Sequence, residues 1–322
     1  VAVSTASGHS DRQVRIGLVL NQPDLNRAAD PVEYAAYLGL LRARRELHVE
    51  AKVAVPRPFV FRDLGPFDYL ARQHYDLVIA NGFLGGLPQA AHRFPKVKFA
   101  ALDTDRAVIR RAPPNLEGTV FHSEQAAFLA GFVAARMADR GPRPHVVSSV
   151  GGIPFQQVKA LIAGFRAGAK RADPKIRLLN TYTYDFANKA KCRNAALAQI
   201  VAHHSRVVFD VAGACGVGAL EAAKKEGVYA IGVDSDQSYL GKFILTSAVL
   251  NVNLAVYDLA KRVVHGRLRT GGNLSFDLRN HGVYLGRFSP KVPLSIRREL
   301  IPLAAQIKRG KIVVPATLNR SP

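Results

Sequence analysis

The sequence is poor in cysteine, in acidic residues and in long apolar runs, and each shortage removes a class of protein. Two cysteines, Cys192 and Cys215, are too few for a disulfide-built scaffold, so the fold must rest on a hydrophobic core. Gly, Arg or Asp breaks every apolar stretch before it approaches the roughly 18–20 residues that a membrane-spanning helix needs. Acidic residues number 24 against 45 Lys and Arg, which leaves a net charge of +21 and a pI near 10.4. Such a surface attracts polyanions, yet the basic residues are scattered, and short clusters such as Arg42-Ala43-Arg44-Arg45 and Arg297-Arg298 read as solvated helix faces. The Cys/His spacing of zinc fingers, an aromatic RNA-binding signature and a helix-turn-helix are also missing, so charge alone does not make a nucleic-acid reader. His-Glu-x-x-His, Gly-x-Ser-x-Gly and Cys-x-x-Cys are absent too, which leaves no obvious seat for the usual hydrolase or metal chemistry.

What is present is an ordinary globular composition, 48% apolar and 21% charged, spread over 322 residues, enough for two domains. Apolar runs alternate with helical stretches. Strands are expected at 14–20, 48–55, 75–80 and 97–102, with a helix over 31–46 between the first two. A second series opens with a helix over 123–138, for which Ser123 is the N-cap candidate, and continues with strands at 146–150, 176–182, 207–211 and 229–233. Continuous apolar strands separated by helices imply parallel sheets covered on both faces, and two such series imply two lobes of similar α/β architecture.

Ligands of open α/β sheets bind beyond the carboxyl ends of the strands. Collected at those ends are Asn81, Asp103, Gly152, Asp185, Phe186, Gly213, Asp234, Asp236 and Gln237. Carboxylates accept from neighbouring sugar hydroxyls, glycines expose backbone N–H groups, and an aromatic face stacks on a planar base or meets a sugar ring. The set suits a polar, ring-bearing molecule. An Asp at a strand end is often a helix cap instead, and that reading stands open for Asp103 and Asp234. The run Gly213-Ala214-Cys215-Gly216-Val217-Gly218 misses the dinucleotide spacing and the Gly-Lys-Ser/Thr ending of a phosphate cradle. His203-His204 lies late in a helix, where His meets the terminal carbonyls rather than a metal. No cofactor or metal is expected.

Several segments, in this order and spacing, resemble the basic membrane protein (BMP) family, the purine-nucleoside-receptor-like substrate-binding components of bacterial ABC importers. They are Tyr75-Asp76-Leu77-Val78-Ile79-Ala80-Asn81-Gly82-Phe83, Phe99-Ala100-Ala101-Leu102-Asp103, Ser123-Glu124-Gln125-Ala126-Ala127-Phe128-Leu129-Ala130-Gly131, Gly164-Phe165-Arg166-Ala167-Gly168-Ala169-Lys170, Tyr184-Asp185-Phe186, Ala212-Gly213 and Ala230-Ile231-Gly232-Val233-Asp234-Ser235-Asp236-Gln237. The resemblance implies a type I periplasmic-binding-protein fold, with one lobe over 14–122 and 247–270 and the other over 123–246 and 271–322, joined by hinge crossovers. It implies a solute held in the interlobe cleft, with Phe186 stacking, Asp103 near the base or the cleft wall, Asp234 on the ribose and Gly213 allowing close backbone approach. Asn21, Asn81, Tyr34 and Phe83 complete the candidate ligand set. Two positions depart from the family pattern. Val32 stands where a stacking Phe is expected, leaving Tyr34 or Phe83 to substitute, and Leu250 replaces a Lys that helps hold the ribose. The expected ligand is a purine nucleoside, nucleobase or related heterocycle, and these departures turn the expectation toward a free base, a modified nucleoside or another heterocycle.

The same resemblance implies an ABC permease with its ATPase as partner and an exported, periplasmic or cell-surface protein, membrane-tethered, with residues 1–13 as a flexible tether. The basic surface would favour an anionic cell envelope, and no specific nucleic acid is expected. Cys192 and Cys215 fall at the carboxyl edge of one sheet, as a disulfide beside the cleft or as two buried thiols. An enzyme acting on nucleosides, with Asp103 or Asp234 as base, is the rival reading.

Overall fold

A computed structural model describes residues 12–21, 31–57, 63–81, 86–141 and 144–318. The first series comprises β1 (Arg15–Val19), α1 (Pro31–Leu47), β2 (Glu50–Ala54), α2 (Gly65–Arg72), β3 (Leu77–Asn81), α3 (Leu87–Arg93), β4 (Lys98–Leu102) and β5 (Leu116–Phe121). The second comprises α4 (Ser123–Ala138), β6 (Val146–Gly151), α5 (Gln156–Ala172), β7 (Arg177–Tyr182), α6 (Lys189–Leu197), β8 (Val207–Val211), α7 (Gly213–Lys225), β9 (Tyr229–Asp234), β10 (Ile244–Leu250), α8 (Val252–Val264), β11 (Asn273–Phe276), β12 (Val283–Leu285) and α9 (Leu294–Lys308). The strands expected from apolar runs form within two residues of their expected bounds. Helix starts follow local chemistry, since α1 opens on Pro31 with Glu33 in its first turn and closes on Arg44 and Arg45, complementing the helix dipole.

Two six-stranded sheets result, ordered β11-β5-β4-β3-β1-β2 and β12-β10-β9-β8-β6-β7. Parallel pairing joins β2, β1, β3, β4 and β5 in the first, and β7, β6, β8, β9 and β10 in the second, where β12 adds an antiparallel edge. The chain divides into two compact units, one of Val1–Pro23, Tyr37–Gly118 and Val256–Gly272, the other of Asp24–Ala36, Thr119–Ala255 and Asn273–Pro322. Each has its own core. Phe67, Leu70, Val78 and Phe99 centre the first, and Val150, Val208, Ala219 and Ala230 belong to the second. Among the described residues no helix is long and apolar enough to cross a membrane.

The helix α4 has the expected bounds, 123–138, but not the expected cap. His122 occupies the N-cap and Ser123 is already helical, because the His122 N–H donates to the Phe276 carbonyl at 2.8 Å and ends the strand there. In the second unit α4 and α5 pack backbone against backbone. A methyl at Gly168 would stand 1.8 Å from the Phe128 carbonyl oxygen, and one at Gly164 would stand 2.2 Å from that of Glu124. Glycine spacing thus lets two helix backbones touch, and the Phe165 ring then stacks on Phe209 of β8 at 4.8 Å. Because backbone cannot yield as a side-chain tip can, Gly168→Ala is expected to lower unfolding free energy by about 2–3 kcal/mol, measured by urea titration. An unchanged midpoint would mean that the helices separate freely.

Candidate functional site

Parallel strands place the site candidates by direction alone. In the second unit β6, β7, β8 and β9 run side by side, and their carboxyl ends lead into Gly152, Asp185-Phe186, Gly213 and Asp234. Phe186 is half-buried and wedged among backbone. A methyl at Gly152 would stand 2.4 Å from its ring, one at Gly213 would stand 3.6 Å away, and the Cys215 N–H donates to the Phe186 carbonyl at 2.8 Å. Gly213 itself has φ +57°, a left-handed backbone that glycine adopts without strain. Asp185 serves the loop. Its carboxylate accepts from the Ala187 and Asn188 N–H groups at 2.9 and 3.0 Å and pairs with Lys191 at 2.9 Å, which holds it well below the usual carboxylate range.

Asp103 and Asp234 share an uncommon backbone, with φ of +48° and +61° at the ends of β4 and β9. Asp tolerates the left-handed region better than most residues, and such outliers gather at functional sites. Neither is a helix cap. The short turn Arg106–Val108 is capped by Asp105, whose carboxylate accepts from the Ala107 N–H at 2.8 Å, and the turn Ser238–Leu240 follows Gln237. The buried Gln237 holds the Asp234 loop from within, its side-chain oxygen accepting from the Val233 N–H at 2.9 Å while its own N–H donates to the Ser247 hydroxyl at 3.1 Å.

In the first unit, β1, β3 and β4 are neighbours, and Asn21, Asn81 and Asp103 stand just past or at their carboxyl ends. Asn21 is exposed and Asp103 half-buried. Tyr34 is half-buried in the first turn of α1, within a segment that groups with the second unit. Phe83 lies outside the described residues. Leu250, where the family pattern has Lys, is buried at the end of β10.

Two further residues belong to the second edge. Phe155, in the loop after β6 and 39% exposed, stacks on Phe186 at 6.1 Å and widens its apolar face. Its loop, Gly151-Gly152-Ile153-Pro154-Phe155, carries a strand-end glycine pair that pointed to the place but not to the ring. The other is Asp210, fully buried inside β8, where an acid interrupting the run Val207-Val208-Phe209-Asp210-Val211 was the signal. One oxygen accepts from the Ala212 N–H at 3.0 Å, and Oδ2 is buried with no hydrogen-bond partner. Burial, with the nearby charge of Asp234, pushes its carboxyl up to about 8, so it keeps its proton at neutral pH. A methyl at Gly216 would collide with this carboxyl at 1.5 Å, and one at Gly218 would meet the Lys189 carbonyl at 2.0 Å. Those glycines of α7 serve internal packing, not a phosphate.

Cys192 of α6 and Cys215 of α7 form a disulfide with a Cα–Cα distance of 5.6 Å. Together with the Cys215 N–H bond it fixes the Phe186 loop to the start of α7. His203 follows a π turn, Ala198–Ala202, and His204 has φ +59°, so the pair terminates a helix. Among the described residues no group of three His, Cys, Asp or Glu side chains could hold a metal ion.

A family model described as "Bmp: ABC transporter substrate-binding protein PnrA-like" matches residues 26–317. The chain is 31% identical over 228 residues to basic membrane protein A1 of Borrelia garinii subsp. bavariensis, covering 69% of this chain and 65% of that one. It is 32% identical over 264 residues to an uncharacterized lipoprotein of Pyrococcus abyssi, covering 77% and 63%. The match thus spans just under two thirds of the length of these curated relatives. Among solved structures, a solute-binding protein of an ABC transporter system from Aeropyrum pernix K1 aligns with TM-score 0.76 at 23% identity over 94% of both chains. A transcriptional activator of the comK gene from Bacillus halodurans aligns with TM-score 0.78 at 22% identity, over 92% of this chain and 99% of that one. These likenesses establish the fold, two parallel-sheet α/β lobes as expected.

Two outcomes test the second edge. Unfolded Asp210 loses its proton near the ordinary carboxylate value of 3.8 while the folded carboxyl keeps it to about 8, so its contribution to stability declines as pH rises through that interval. Asp210→Asn should therefore raise the melting temperature over the parent near pH 8 and gain little near pH 4; an equal gain at both pH values would contradict a buried proton. The disulfide closes a sequence separation of 23 residues. Chain-entropy reasoning gives about 3 kcal/mol for such a closure, so the Cys192→Ser/Cys215→Ser protein should unfold at a correspondingly lower urea concentration.

Proposed function

Because this chain belongs to the Bmp family of PnrA-like ABC transporter substrate-binding proteins, we propose that it captures a purine nucleoside, nucleobase or related heterocycle and hands it to an ABC permease driven by its ATPase. The observation that carries the reading is the braced aromatic at the second sheet edge. Phe186 is held by Gly152, Gly213 and the Cys215 N–H, beside Phe155. A face fixed in advance loses little conformational entropy on stacking against a planar ring. Asp234, on a strained strand end, would accept from two ribose hydroxyls. Val32 and Leu250 withdraw one ring and one cation from the family pattern, which favours a ligand bound mainly through the Phe186 face.

Such a receptor works outside the cytoplasm, with the basic surface keeping it near an anionic envelope. The reading is binding without turnover. In calorimetry with purine nucleosides, Phe186→Ala and Asp234→Ala should each weaken affinity about tenfold or more, the scale of one charge-assisted hydrogen bond or one lost stacking face. Unchanged affinity in both variants would move the site elsewhere. Chromatography after prolonged incubation should return the nucleoside intact, and released base would favour a hydrolase with Asp103 or Asp234 as its base.

A further inference from the structure

A cavity of about 680 Å³ opens at the opposite edge of the second sheet, where strands enter. Arg206 immediately precedes β8, Lys242 precedes β10, Arg140 follows α4 and Lys291 precedes α9, and all four line it. Among the described residues no carboxylate lines it, and none of the four cations has an ion-pair partner. The nearest acid in sequence, Asp139, lies instead 3.1 Å from His145. Arg140 alone would be explained by the negative end of the α4 dipole, but the other three sit at strand entries and in a loop.

Hydrogen bonds fix the backbone that carries three of these cations. The buried Ser289 hydroxyl donates to the Lys242 carbonyl at 2.6 Å and accepts from the Lys291 N–H at 3.2 Å, fixing two of the positions to each other. The Arg206 backbone is clamped on both sides, its N–H donating to Val146 and its carbonyl accepting from Tyr229, at 2.9 and 3.0 Å. Its guanidinium lies over Gly141, where a methyl would come within 2.7 Å, so the glycine leaves room for it. Tyr229 and Phe243 add aromatic wall to the same cavity. Four like charges brought together repel one another, and a bound polyanion relieves that repulsion while accepting their hydrogen bonds.

We propose that this cavity is an anion site that takes a phosphate-bearing ligand, distinct from the solute site at the other edge of the sheet. The phosphate comes from a free phosphate compound or from a lipid headgroup, and the two sources separate by experiment. Calorimetry with pyrophosphate in low-salt buffer reads the free form. Co-sedimentation with phosphatidylglycerol vesicles, against pure phosphatidylcholine vesicles, reads the headgroup. Saturable binding to either probe is expected, weakened about tenfold or more by Arg206→Ala/Lys242→Ala and untouched by Arg44→Ala/Arg110→Ala, which removes equal charge from exposed positions of the first unit. Circular-dichroism melting verifies that both double variants fold. Pyrophosphate binding without vesicle capture assigns a soluble ligand, and the reverse assigns the headgroup. Failure of both probes, or equal weakening by the two double variants, overturns the proposal, since the latter is what diffuse surface charge would give. Nucleoside affinity should be unaltered in the Arg206→Ala/Lys242→Ala protein, so this test and that of the solute site fail independently.

Discussion

A parallel strand sealed between helices on both faces can present its chemistry only at its ends, and that constraint organises everything described above. The central strands β1, β3, β4, β6, β8 and β9 are apolar and almost wholly buried along their length. Residues able to meet a solute are therefore gathered where the chain leaves the sheet. Asn81, Asp103, Phe186, Gly213 and Asp234 all sit at such exits, although up to 153 positions separate them in the chain.

The second edge shows how much internal chemistry is needed to hold one aromatic ring still. A disulfide, a backbone hydrogen bond from Cys215 and an Asp185 carboxylate satisfied by two amides and Lys191 fix the loop that carries Phe186. In the neighbouring strand β8, Asp210 is buried as a neutral acid near the charge of Asp234. A buried, proton-bearing carboxyl next to an ionised one costs stability, which is the behaviour expected where a site is arranged for binding rather than for the most stable fold. The positive cavity at the strand-entry edge uses the same scaffold in the opposite sense, with cations instead of carboxylates.

The buried strands were legible because burial on both faces leaves an unbroken apolar signature, as in Val207-Val208-Phe209-Asp210-Val211 and Tyr229-Ala230-Ile231-Gly232-Val233. The edge strands β11 and β12, of four and three residues, were not, since a short strand with one exposed side carries little pattern. Strand-end Asp103 and Asp234 could be found by position, but only backbone geometry separates them from the capping Asp105. Phe155 escaped because its pairing with Phe186 joins segments 31 positions apart in the chain. The glycines of α5 announced a family likeness in sequence, whereas their physical reason, the Phe128 and Glu124 carbonyls of α4, needed coordinates. The disulfide was one of two open possibilities until the 5.6 Å Cα separation placed the cysteines together.

The proposed function requires Phe186 and Asp234 to bind one planar solute. A crystal structure grown in saturating purine nucleoside is the decisive measurement. Ring density is expected against Phe186, with the ribose hydroxyls within hydrogen-bond distance of Asp234. Nucleoside density located elsewhere, or a saturated crystal in which both side chains meet only protein and water, would contradict it.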